Sequence, residues 1–174
     1  MDSIHCGVTV NMIYRNILFY WLVLLTCLSG FSYPAFASDE SPVVTVRIEG
    51  SFHETLQGVR MAITGRGINI AHTLPASGML NRTGSAFGIK KNVFAHAEII
   101  EFCSARISHK LIQANPENMV LCPFTISVYQ LASDPGHVYL TYRKPFVLKD
   151  ETSVAATGEI VKLLEGIIRD VTEW

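Results

Sequence analysis

"PVVTVRIEGSFHETLQGVRMAITGRG", Pro42 to Gly67, decides the fold. Val44, Val46 and Ile48 alternate with Thr45 and Arg47, the two-residue period of a strand with one buried face. Ser51 then opens a helix. Ser51 and Glu54 have the spacing of a capping box, in which each side chain accepts a bond from the other's exposed N–H. Phe52, Leu56, Val59 and Ile63 recur at helical spacing, which predicts one inward-facing stripe. Gly65 and Gly67 end the helix, and Ile68 to His72 reads as a short second strand.

Working outward, Pro75 to Leu80 reads as a short irregular helix followed by a glycine-rich loop. Val93 to Phe102 predicts a strand. Ser104 to Ala114 predicts a helix carrying Ile107, Leu111 and Ala114 on one side, stopped at Asn115-Pro116 because a residue before proline avoids helical geometry. Phe124 to Leu131 and His137 to Arg143 are alternating strands, and Asp134-Pro135-Gly136 between them suits a type II turn. A closing helix from about Ser153 carries Ile160, Leu163, Leu164, Ile167, Ile168 and Val171 as its apolar stripe. The expected class is α+β: an antiparallel sheet with helices packed on one face, in β-α-β(4)-α order.

The 174-residue chain also carries an uncharged apolar run, Asn16 to Ala37, directly after Arg15. Ala35-Phe36-Ala37 supplies a small-x-small pattern at its end. A basic residue, an apolar core and that pattern describe a secretory signal peptide over residues 1–37. Met12 is an alternative start that gives a shorter leader. An uncleaved anchor is the rival reading, but Ser32 and Pro34 interrupt the run before it reaches the ~20 residues of a spanning helix. A lipoprotein reading at Cys27 meets Thr26 where a small Gly, Ala or Ser belongs. Cleavage after Ala37 leaves residues 38–174 as a single domain, periplasmic or secreted, meeting a membrane only through the leader during export. The 14 basic and 15 acidic residues are scattered, with no basic stripe, which argues against a nucleic-acid partner.

Two longer segments carry a family likeness. "SFHETLQGVRMAITGRGINIAHTL", Ser51 to Leu74, resembles the start of the domain of unknown function 302 family. "LIQANPENMVLCPFTISVYQLASDPGHVYLTYRKP", Leu111 to Pro145, is similar to its second half, through Asn115-Pro116, Pro123, Val128-Tyr129 and the strand before Pro145. The resemblance runs from about Val43 to Glu173 and departs most over Leu80 to Phe94. It implies a TATA-binding-protein-like fold, frequently dimeric, and no catalytic residues. Cys103 and Cys122 stand as additions to that pattern.

Those two cysteines are the chief chemical candidates. Cys6 and Cys27 fall in the leader, so an exported chain keeps an even pair, which in an oxidising compartment is ordinarily a disulfide. The alternative is a thiol redox or sulfur-handling pair. Cys103 would be its nucleophile, because a helix start at Ser104 or Ala105 favours the thiolate. A haem or metal carrier is the third reading, with His109 and His96 as ligand candidates. The Cys103–His109–Cys122 spacing matches no usual structural zinc pattern, and a lone histidine on a helix is more often packed or half-exposed. No cofactor is implied. There is no G-x-S-x-G, H-E-x-x-H or phosphate-cradling loop. Glu98 and Glu101 fall on opposite strand faces, His137 reads as solvated beside a turn, and Arg143-Lys144 reads as a solvated strand end in preference to an anion-binding pair. Tyr129, Tyr139 and Tyr142 are expected to pave the sheet, whose helix-free face would be covered by a ligand or a second copy. The function expected is a small exported binding or accessory module, non-enzymatic and homodimeric.

Overall fold

A computed structural model describes residues 41–146 and 150–173. The leader expected over residues 1–37 lies outside the described residues. Among the described residues no helix is long and apolar enough to cross a membrane.

Among the described residues, five strands and four helices follow one another as β1 (Val43–Glu49), α1 (Phe52–Thr64), β2 (Ile70–Leu74), α2 (Ala76–Thr83), β3 (Phe94–Phe102), α3 (Ala105–Ala114), β4 (Phe124–Leu131), β5 (Asp134–Arg143) and α4 (Glu151–Thr172). The strands form one sheet in the order β1-β5-β4-β3-β2, every neighbouring pair antiparallel. The α+β class and the layer arrangement expected from the sequence are those of the structure.

Strand alternation separates the two faces. Ile100 and Phe102 of β3, Phe124, Ile126 and Val128 of β4, and Val138, Leu140 and Tyr142 of β5 are buried on one side. α1, α3 and α4 close over them with Val59, Ile63, Ile107, Leu111, Ile160, Leu164 and Ile167. β1 is an edge strand, so Val44, Val46 and Ile48 are only half-buried against this core.

Local chemistry sets the boundaries. Ser51 Oγ accepts from Glu54 N at 3.5 Å, supplying its half of the expected box. Gly67 sits at φ 70°, a left-handed turn that glycine takes without a Cβ penalty. Beyond it Ile68 dips into the core, so the ladder of β2 starts at Ile70 rather than Ile68. Ser104 Oγ caps α3 through Ile107 N, and Asp150 Oδ1 caps α4 through Ser153 N at 2.7 Å. Asn115 is extended at φ −157°; its side chain caps Glu117 N and starts a 3₁₀ turn, Pro116–Leu121, that leads to the cis Cys122–Pro123 peptide.

Two local expectations are corrected. The short helix after Pro75 is regular, runs to Thr83 and continues into a 3₁₀ turn at Gly84–Phe87. The hairpin reverses at Ala132 and Ser133, since Leu131 already pairs with Asp134. Asp134-Pro135-Gly136 belongs to β5: between the Leu131–Asp134 and Tyr129–Tyr139 pairs, Gln130 alone faces Pro135 to Val138. Gln130 Nε2 donates to Pro135 O at 2.7 Å and ties the bulge down.

Candidate functional site: an uncovered sheet face and a cysteine-lined cleft

The face turned away from α1, α3 and α4 is built by register, and α2 lies against its β3 edge, where Ala76 and Ala97 are buried apart from the main core. Ala97, Tyr129, Tyr139 and Arg47 stand side by side across β3, β4, β5 and β1, with Ile99, Ser127, Thr141 and Thr45 in the next row. Tyr129 and Tyr139 stack with ring centroids 5.1 Å apart and planes 3° from parallel. Phe94 meets Tyr129 edge-on at 5.3 Å. Thr45 and Thr141 hydroxyls lie 3.1 Å apart. The expected paving by tyrosines therefore holds for Tyr129 and Tyr139. Tyr142 points the other way, into the core, where burial pushes its phenol up, with Glu165 adding to the effect.

The β5 bulge brings charged groups to one end of that face. Asp134 Oδ2 accepts from Tyr139 OH at 2.6 Å and from Arg47 Nη2 at 3.0 Å. Asp134 Oδ1 lies 2.7 Å from His137 Nδ1. Tyr139 and His137, then Arg47, hold the Asp134 carboxyl well below its ordinary range. The same contacts raise Tyr139 and Arg47, Asp134 being the first cause for each. Arg47 Nη2 is also 2.8 Å from His137 Nδ1. That nitrogen donates to Asp134 or accepts from Arg47 according to tautomer, never both. His137 is thus a half-buried member of a network rather than a solvated turn residue. The sequence signal for this hub was limited to Asp134, His137 and Tyr139 standing close together, with Arg47 supplied by pairing.

The cysteines meet at the opposite end of the sheet. Phe102 pairs with Phe124, so Cys103, one residue past that rung, and Cys122, two residues before it, lie at the same sheet end, and α3 with its 3₁₀ turn returns the chain between them. Their sulfurs lie at disulfide distance, with Cα atoms 6.0 Å apart. Ser108 Oγ is 3.8 Å from Cys122 Sγ. Cys103 also lines a cleft of about 750 Å³ with Arg66, Asn69, Arg106, Glu159 and Lys162. Glu159 there binds Arg106 at 3.0 Å and Lys110; Lys110 above all keeps its carboxyl low. Arg66 pairs with Asp170 at 2.6 Å.

The histidine candidates are not gathered into a ligand set. His109 is exposed on α3. His96 is exposed on β3, stacked 5.0 Å over Phe52 and 5.7 Å from His53. Among the described residues no three of His, Cys, Asp and Glu converge as metal ligands. Glu98 and Glu101 do face opposite ways along β3, and Glu98 is taken by Arg60 at 3.2 Å on the helix side.

Residues 44–171 match the family model for the domain of unknown function DUF302. The chain belongs to the DUF302 family. A crystal structure of an uncharacterized conserved DUF302 protein from Bacillus stearothermophilus shares this fold. Its TM-score is 0.62 at 18% identity, covering 75% of this chain and 98% of that one. No functionally curated protein matches the chain. The expected DUF302 resemblance therefore stands, and with it the fold.

Proposed function

We propose that this DUF302 chain is a small exported binding or accessory module, non-enzymatic, working as a homodimer that packs together the sheet faces turned away from α1, α3 and α4. One observation carries the reading: α1, α3 and α4 cover one side of a five-stranded sheet, and the Phe94–Tyr129–Tyr139 row lies on the other. Tyrosine and arginine are the residues that anchor interfaces, since they combine large contact area with a polar tip. Arg47 and Tyr139 are already held in place by Asp134, so little side-chain freedom is lost on association. Sedimentation velocity over a concentration series tests this. A dimer is expected for the parent, and a monomer for Tyr129→Glu, which sets a charge into the row. A monomer at every concentration, or a dimer indifferent to Tyr129→Glu, overturns it.

The cleft supports a second reading, a thiol redox or sulfur-handling protein using Cys103 and Cys122. A thiolate attacking Cys103 from the cleft would release Cys122 as the leaving thiolate, with the Ser108 hydroxyl beside it as donor. A pair that stays oxidised under mild thiol reductant rules this reading out.

A further inference from the structure

Between α2 and β3 the chain builds a lobe that belongs to neither surface above. From Met79 to Val93 every residue except Gly84 is exposed, yet the segment is rich in large apolar side chains: Met79, Leu80, Phe87, Ile89 and Val93. Phe87 is 78% exposed and Val93 64%. Scattered apolar residues on a surface are ordinary; five exposed ones within a fifteen-residue stretch are not.

The lobe is also fixed in shape. Thr83 Oγ1 donates to Met79 O at 3.0 Å at the end of α2. Gly88 N donates to Ser85 O at 3.2 Å and Ile89 N to Gly84 O at 2.9 Å, closing the 3₁₀ turn. Gly88 takes φ 72° to complete that closure, a left-handed position suited to glycine. Phe87 and Ile89 are therefore presented by a hydrogen-bonded turn, which reduces the ordering cost of any contact they make.

Charge selects the partner. The chain has no Asp or Glu from Thr55 to Ala97. Over the lobe itself the charged residues are Arg82, Lys90 and Lys91, all exposed and without an ion pair among the described residues. A turn of exposed apolar side chains, with the unopposed cations Arg82, Lys90 and Lys91 beside it in the chain, complements an anionic bilayer surface. The apolar groups enter the headgroup boundary while the cations meet lipid phosphates.

We propose that the Met79–Val93 lobe docks this protein onto an anionic lipid surface, with Phe87 and Ile89 inserting and Arg82, Lys90 and Lys91 contacting headgroup phosphates. This is independent of the sheet-face reading, which uses other residues. Hydroxyl-radical footprinting of the full chain tests it, reading Met79 and Phe87 against Met119, which is exposed on the turn before β4. With phosphatidylglycerol vesicles, labelling of Met79 and Phe87 falls several-fold while Met119 is unchanged; with phosphatidylcholine vesicles neither moves. Lys90→Glu/Lys91→Glu weakens the lobe's affinity for the anionic vesicles about tenfold or more, and raised salt does the same. Equal labelling with both lipids, or protection untouched by the charge reversals, overturns the proposal. So does protection without vesicles that grows with protein concentration, which assigns the lobe to a second copy of the chain.

Discussion

Asp134 shows what a single residue gains from its surroundings. Tyr139, His137 and Arg47 all turn polar groups toward its carboxylate, and the donated bonds favour the ionised form. Its folded pKa lies below the ordinary 3.8. The stability this contributes is therefore complete above that ordinary value and drains away as acid titrates the folded carboxylate. Urea unfolding across pH reads this directly. Asp134→Asn is expected to be less stable than the parent by a constant margin from neutral pH down to about pH 4, and the margin closes below that. A margin that does not change with pH would sink the argument. The sequence placed Asp134 beside Pro135 and Gly136, a turn by local preference. Local preference carries no knowledge of cross-strand pairing, and the register puts the reversal two residues earlier, leaving Asp134 to head a bulge.

Elements were legible where one periodicity governed a whole segment. β4 and the apolar stripe of α4 fall where alternation and helical spacing placed them. β2 moved because Ile68 serves the core rather than the ladder, a choice made by packing. The 3₁₀ turn between α3 and β4 was not foreseen, and neither was its role. Asn118 from that turn is wholly buried between α3 and α4. Its Nδ2 donates to Leu111 O at 3.1 Å and to Ser153 Oγ at 2.8 Å. Thr157 Oγ1 in turn donates to Ser153 O at 2.6 Å, so the contact lies on the first turns of α4. Ser153→Ala strips an acceptor from a buried amide and is expected to cost ~1–3 kcal/mol. Chemical denaturation measures it as a lower midpoint with an unchanged slope; parent-like stability would show that the Asn118–Ser153 bond contributes nothing. A polar residue in a non-periodic turn gave no sequence signal, because its value depends on two helices meeting there.

At the scale of the whole molecule, the cysteine pair links two strands of the sheet. Cys103 and Cys122 join the β3 end to the β4 start around α3, where their removal frees a loop of 19 residues. The chain-entropy contribution of such a link is about 3 kcal/mol. Under the proposed export reading, intact mass of the native protein, taken before and after reduction, is expected to show a chain beginning at Ser38 and two hydrogens gained on reduction. Cys103→Ala/Cys122→Ala should then unfold at distinctly lower denaturant; a double variant as stable as the parent would remove the staple. The sequence alone determined the strand and helix stripes, the class of the fold and the family. Each of these follows from side chains repeating along their own segment, so it can be read without knowing the partner. Tertiary structure decided which residues share a surface: the Arg47–Asp134–Tyr139 hub, the stacked Tyr129 and Tyr139, Tyr142 turned inward, and Cys103 set into a cleft with Arg66, Arg106, Glu159 and Lys162. Those depend on register and on how helices cross the sheet. A shift of one residue in pairing sends a side chain to the opposite face, and no local pattern records it.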